Sequence, residues 1–174
     1  MLCESEVRMK KKGPIQSSPS IPNSENVVEL PNDIFLKGIR DLLEEGHTAT
    51  LRVRGNSMRP FLEDRRDSIV LTTVTHIEVG DAVLAEIAPG KYVFHRIIAI
   101  DGEHITLMGD GNVRGTEHCM KADVKANALA VIRKGKEYST DGKRWKRYSK
   151  CWMRLTPVRR WLLAIHRRLP RAWR

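Results

Sequence analysis

From residue 48 to about 133 the chain breaks into short apolar runs punctuated by turn residues, and no other feature limits its fold as strongly. Thr50-Leu51-Arg52-Val53-Arg54 alternates apolar and polar residues, the period of a half-buried strand. The runs at 68–74 and 82–87 are apolar and partly β-branched. Pro89-Gly90 marks a turn before 92–100, and Asp101-Gly102 links that run to 104–108 as a hairpin. A closing strand is expected at 127–132. Many short strands joined by turns imply a mainly β, compact antiparallel domain over 47–138.

The flanks read differently. Residues 1–30 contain Lys10-Lys11-Lys12 and Ser17-Ser18-Pro19-Ser20 with few apolar residues, and are expected to be a disordered leader. A helix is expected over 31–46, with Asn32 as N-cap, Ile34, Phe35, Ile39, Leu42 and Leu43 near helical spacing, and Gly46 as the stop. Residues 139–174 form a basic amphipathic tail. Thr156-Pro157 opens a helix there, and Val158, Trp161, Leu162, Ile165 and Leu169 make an apolar stripe.

Charge is concentrated in this last quarter. Residues 133–174 hold 15 Lys/Arg and 2 acids, a net +13, whereas residues 1–132 hold 16 and 19, a net −3. All four tryptophans lie between Trp145 and Trp173. A basic helix with Trp at its edges suits an anionic membrane surface, so Trp152, Trp161, Leu162 and Ile165 are expected to contact one. Packing of the stripe on the β domain is the competing expectation. Nucleic acid ranks behind both, because tryptophans at a helical period suit an apolar surface better than base stacking. No apolar run approaches the roughly 18 residues of a membrane span, and no secretory signal is visible. Cys3, Cys119 and Cys151 form no C-x-x-C pair, which fits a reducing compartment. The expected location is cytoplasmic and peripheral to the membrane. His104, His118 and Cys119 lack a ligand pattern, and Asp110-Gly111-Asn112 is too short for a calcium loop, so no metal is expected.

Three segments could carry chemistry. In Gly55-Asn56-Ser57-Met58-Arg59-Pro60 a serine follows a strand in a tight turn, which exposes a hydroxyl as a nucleophile requires. In Val93-Phe94-His95-Arg96-Ile97 a histidine sits within a strand, and a neutral imidazole can accept a proton near pH 7. In Met108-Gly109-Asp110-Gly111-Asn112 a carboxylate could orient that imidazole. Each has a plainer reading: a turn serine, a half-buried structural histidine and a Gly/Asp/Asn turn.

Together the segments resemble the signal peptidase I family and its LexA-type relatives. The serine box of that family reads G-x-S-M-x-P, as 55–60 does; Gly80-Asp81, His95-Arg96 and Gly109-Asp110-Gly111-Asn112 follow in the family's order. The resemblance covers roughly 48–132 and implies a compact signal-peptidase/LexA-like β domain. With histidine at the base position it resembles the Ser–His branch, similar to the endoplasmic reticulum and archaeal enzymes. Lys91, about 13 Å along the strand from His95, ranks well below it.

The resemblance implies a serine endopeptidase acting through an acyl-enzyme, without metal or cofactor. Ser57 is the implied nucleophile, His95 the base and Asp110 a supporting carboxylate. The surroundings Gly55, Asn56, Met58 and Pro60 are the implied oxyanion and substrate contacts. The branch places a further aspartate shortly after the Gly-Asp-x-Asn box; Glu117 is the substitute here. Neither the family's membrane anchor nor a LexA-type helix-turn-helix is expected from the polar leader and single helix before the serine box, and these residues contain no Ala-Gly or Cys-Gly self-cleavage dipeptide. Processing of a leader or precursor peptide at the membrane face is the expected task. A non-catalytic peptide-binding or membrane-docking module and a nucleic-acid-associated regulator are the alternatives.

Overall fold

The computed structural model of the chain describes residues 8–10 and 32–169, with side chains from residue 38 onward. Among the described residues nine strands build one sheet: β1 (Arg8–Lys10), β2 (Thr48–Arg52), β3 (Ser68–Thr72), β4 (Ala82–Ala88), β5 (Lys91–Asp101), β6 (His104–Met108), β7 (Glu117–Met120), β8 (Val124–Arg133) and β9 (Lys136–Ser139). Helix α1 (Asn32–Glu44) precedes β2, and α2 (Lys143–Arg154) and α3 (Arg159–Arg168) follow β9. The hydrogen-bonded order is β1-β2-β3-β8-β4-β5-β6-β7, with β9 also on β8, and every pairing is antiparallel.

The chain is therefore mainly antiparallel β with helices at both ends, as the spacing of apolar runs requires. Alternation in β2 and β3 buries Ala49, Leu51, Ile69 and Leu71 on one face. Val83, Ala85, Val93, Ile97, Ile105 and Leu107 gather in a second apolar cluster within β4–β6. Most of the expected leader and the helix positions Ile34 and Phe35 lie outside the described side chains. Of that leader, residues 8–10 pair with β2. At the end of α1 the Gly46 backbone takes φ +81°, and its N–H donates to Leu43 O, a helix stop that suits glycine.

Three elements escape the alternation pattern. β7 and β9 are four residues each and largely polar. α2 was expected as part of a basic tail, yet Trp145, Ser149 and Trp152 on one face of it are buried. Trp145 meets Phe61 edge-on at 4.4 Å between ring centres and joins the cluster of Ile39, Leu51, Leu62 and Leu71. One face of α2 is thus part of the core. Thr156 does not cap a helix; its hydroxyl donates to Met153 O, and a 3-10 turn at Thr156–Val158 leads into α3.

Because Trp145 is almost fully buried against Phe61, Trp145→Ala should destabilise the whole domain by about 3–5 kcal/mol. Urea unfolding should remain a single transition with a lower midpoint. An unchanged midpoint would mean that α2 is an appendage.

Candidate active site

Ser57 stands half-buried in the turn after β2. Gly55 enters that turn at φ +91°, with its N–H donating to Asp64 Oδ1 at 2.7 Å. The turn closes with Arg59 N–H donating to Asn56 O at 3.2 Å and Leu62 N–H to Met58 O at 2.9 Å. Asn56 is exposed, and Pro60 is half-buried. Met58 is buried in the main core, so its side chain anchors the serine turn from below and is not open to a substrate. Among the described residues none accepts a hydrogen bond from the Ser57 N–H.

His95 and Arg96 are adjacent on β5 and point to opposite faces. Both are buried. His95 Nδ1 lies 3.0 Å from Glu117 Oε2, at the start of β7. A carboxylate there selects the tautomer with the proton on Nδ1 and leaves Nε2 as the acceptor. Nε2 faces the Gly109 Cα: a β-carbon on Gly109 would stand 3.0 Å from it. The same β-carbon would collide with the Ser57 carbonyl oxygen, so Gly109 brings the serine turn and the imidazole to one small space. Gly111 is required for a similar reason. A β-carbon there would collide with Asn56 O, and its own N–H donates to Ser57 O at 2.7 Å. Burial pushes the His95 pKa below its ordinary value of 6.5, and the Glu117 charge and hydrogen bond oppose that only in part.

Asp110 was expected to orient the imidazole. It binds Arg96 instead, accepting from Nε at 2.8 Å and from an Nη at 2.6 Å. The other Nη of Arg96 donates to Gly80 O at 2.7 Å and to Ser149 Oγ at 2.5 Å. Its guanidinium lies 5.3 Å from the Trp145 ring centre. Asp110 supports the site by fixing the turn that carries Gly109, while Glu117 is the carboxylate on the imidazole. Lys91 is exposed at the far start of β5.

The C-terminal helices grip the same turn. Trp152 Nε1 donates to Asp110 O at 3.1 Å. Trp152 is therefore buried beneath the site and is not an outward membrane contact. Arg159 is buried as well, with Nη1 3.3 Å from Met108 Sδ and 3.4 Å from Asn112 O. His166 on α3 lies 3.4 Å from Glu63, just after the serine box. Sequence reasoning named Arg96 only as part of the His95-Arg96 box, without a role, and missed Ser149 and Arg159. For Arg96 a signal existed: an arginine inside the apolar strand 93–97 needs a buried anion. An open cavity of about 510 Å³ near the β4–β5 turn, lined by Glu86, His104, His118 and Cys119 among others, does not include Ser57 or His95.

Removing one partner of a buried ion pair leaves the other charge without compensation, at about 3–5 kcal/mol. Asp110→Asn should cost that much by urea unfolding, and Arg96→Met with Asp110→Leu should recover part of the loss. A cost under about 1 kcal/mol would show that the pair does not organise the site.

No curated protein matches the chain. A family match does exist. It spans residues 13–132, so it reaches well upstream of the 48–132 read from motifs and stops before α2. That match takes in 120 of the 174 residues, the strands β2–β7, most of β8, and the boxes around Ser57, His95 and Asp110. The chain belongs to the Peptidase S24-like family, the LexA and signal peptidase I type.

Proposed function

We propose that the chain is a serine endopeptidase of the Ser–His type, with Ser57 as nucleophile, His95 as base and Glu117 as the residue that orients the base. The observation that carries this reading is the contact of His95 Nδ1 with Glu117 at 3.0 Å, with Nε2 turned toward the Gly109 Cα against which the Ser57 carbonyl rests. The family supports a peptidase in general.

In the proposed reaction Nε2 takes the Ser57 hydroxyl proton as Oγ attacks the scissile carbonyl carbon. The Ser57 N–H donates to the oxyanion that forms. The imidazolium then gives its proton to the departing amine, and the C–N bond breaks to leave an acyl-enzyme. Water, deprotonated by the same imidazole, attacks the ester and returns Ser57. Glu117 holds the Nδ1 proton throughout and stabilises the transient positive charge. No residue in this scheme requires a metal. Peptide or protein is the substrate class, and a leader or precursor peptide is the specific one proposed.

The test compares all protein N-termini in cells making wild type and cells making Ser57→Ala. New termini that occur only with wild type are expected, and a fluorophosphonate probe should label Ser57. Identical termini with no labelling would sink the peptidase reading and favour a peptide-binding module. His95→Ala should lower cleavage by about 10²–10⁴-fold. Cleavage that survives it would remove His95 as base.

The pH profile follows from the sign of the His95 shift. The base must be neutral, and burial lowers its pKa, so the acid limb of kcat/KM should fall below pH 6.5. Glu117 raises that pKa, so Glu117→Gln should move the limb to still lower pH while kcat drops. A limb that moves up, or does not move, would mean that Glu117 does not act on His95 during the reaction.

A further inference from the structure

Among the described residues eight large apolar side chains are exposed, and four of them, Val158, Trp161, Ile165 and Leu169, lie on or beside one short helix. Scattered exposed apolar residues are ordinary, whereas a contiguous set is a surface made to be covered. At 100° per residue these four, with half-buried Leu162, fall within about 100° of arc on α3. The opposite set is already used: Arg159 and Leu163 are buried, and His166 reaches Glu63. The apolar arc is therefore not the face that holds α3 to the domain. Trp161 and Ile165 are each 61% exposed, so folding leaves most of their apolar surface in water.

Charge selects among the partners that could cover this arc. Residues 143–169 contain ten Lys/Arg and no acid, and all ten except Arg159 are exposed. A second copy of the chain would bring two such surfaces together without a compensating anion. Nucleic acid would satisfy the charge, but three of the four exposed side chains are aliphatic and offer no base a ring to stack on. An anionic bilayer meets both demands at once, through phosphates for the arginines and acyl chains for the apolar arc. Arg160 already lies over the Trp161 ring at 4.5 Å, the pairing expected of a tryptophan at the edge of a charged surface.

We infer that α3 docks the protein in the plane of an anionic lipid surface through Val158, Trp161, Ile165 and Leu169, with the exposed cations of α2 and α3 as the electrostatic partners. The inference stands apart from the peptidase reading, since it uses the exposed side chains of α2, α3 and their flanks and none of Ser57, His95 or Glu117. Its meaning for the site is geometric. The helix that would lie on the bilayer also holds Met108 and Asn112 through Arg159, beside the Ser57 turn. A docked enzyme would work on peptide at the membrane surface.

Flotation of the full chain with vesicles of phosphatidylcholine alone, and with 30% phosphatidylglycerol, tests it. Partitioning onto the anionic vesicles should be at least ten-fold stronger. Trp161→Ser combined with Ile165→Ser should lower it at least ten-fold while the thermal midpoint holds, because both side chains are exposed. Lys143→Ser with Lys146→Ser, on the exposed face of α2, should lower it less and make it less sensitive to salt. Equal partitioning of wild type and the Trp161/Ile165 variant would overturn the inference. So would a wild-type dimer in sedimentation that the same variant converts to monomer, or duplex DNA binding that the variant weakens while flotation is unaffected.

Discussion

The buried pair of Arg96 and Asp110 is the constraint on which the site depends. Arg96 has almost no contact with solvent, and its three donor groups reach three different parts of the chain: the Asp110 carboxylate, the Gly80 carbonyl and the Ser149 hydroxyl. A guanidinium desolvated this far is tolerable only if its donors are matched, and the planar fork matches a carboxylate at two points. That match fixes the turn after β6. The turn in turn presses two glycines against the serine loop, with Gly109 beside His95 and Gly111 donating to the Ser57 carbonyl. Serine loop and imidazole come from elements 38 residues apart in sequence, and the Asp110 turn is the piece that touches both. The net stability of such a pair is small compared with a well-packed apolar replacement. Its effect here is on position.

The C-terminal helices extend this logic beyond the region that matches the family. Ser149 and Trp152 on α2 and Arg159 before the body of α3 all bind atoms of the same strand-and-turn unit. Arg159 reaches a sulfur, two carbonyls and a hydroxyl without touching a carboxylate, and burial lowers its pKa. The guanidinium remains charged, since its ordinary value lies far above neutrality. A buried cation with only dipoles around it draws on the nearby Asp110 charge. One aspartate therefore serves two arginines, one by contact and one through the field.

Legibility in the sequence followed physical simplicity. β2 to β6 and β8 bury alternate or continuous apolar residues, so their pattern is visible within a few residues of the observed bounds. β7 reads Glu-His-Cys-Met and buries only Cys119, so nothing in it signals a strand until its neighbour β6 is in place. α2 is so rich in cations that its three buried residues are outvoted by its solvent face. The candidate site divides in the same way. Ser57 and His95 stand out by type and setting, but Asp110 and Glu117 are both carboxylates shortly after His95 in sequence. Which of them meets the imidazole depends on where Arg96 points. β5 places His95 and Arg96 on opposite faces, and each then takes the carboxylate on its own side.

That division also explains why His95 can be buried at all. Had the imidazole shared a site with Arg96, the neighbouring cation would have opposed any proton on it. With the guanidinium neutralised by Asp110 on the far face, the imidazole has Glu117 as its hydrogen-bonded carboxylate, a weaker pull from the more distant Asp110 charge, and the low polarity of the second apolar cluster. Burial favours the neutral ring, and Glu117 favours the charged one. The first effect is the larger, so the resting ring is an acceptor, while Glu117 limits the cost of the charge once a proton arrives. The sign has a consequence for the fold. As pH falls below 6.5 the unfolded chain binds a proton at His95 that the folded chain resists, so folding stability from this residue declines on the acid side. The same burial that readies the imidazole as an acceptor near neutrality thus makes the folded domain less tolerant of acid.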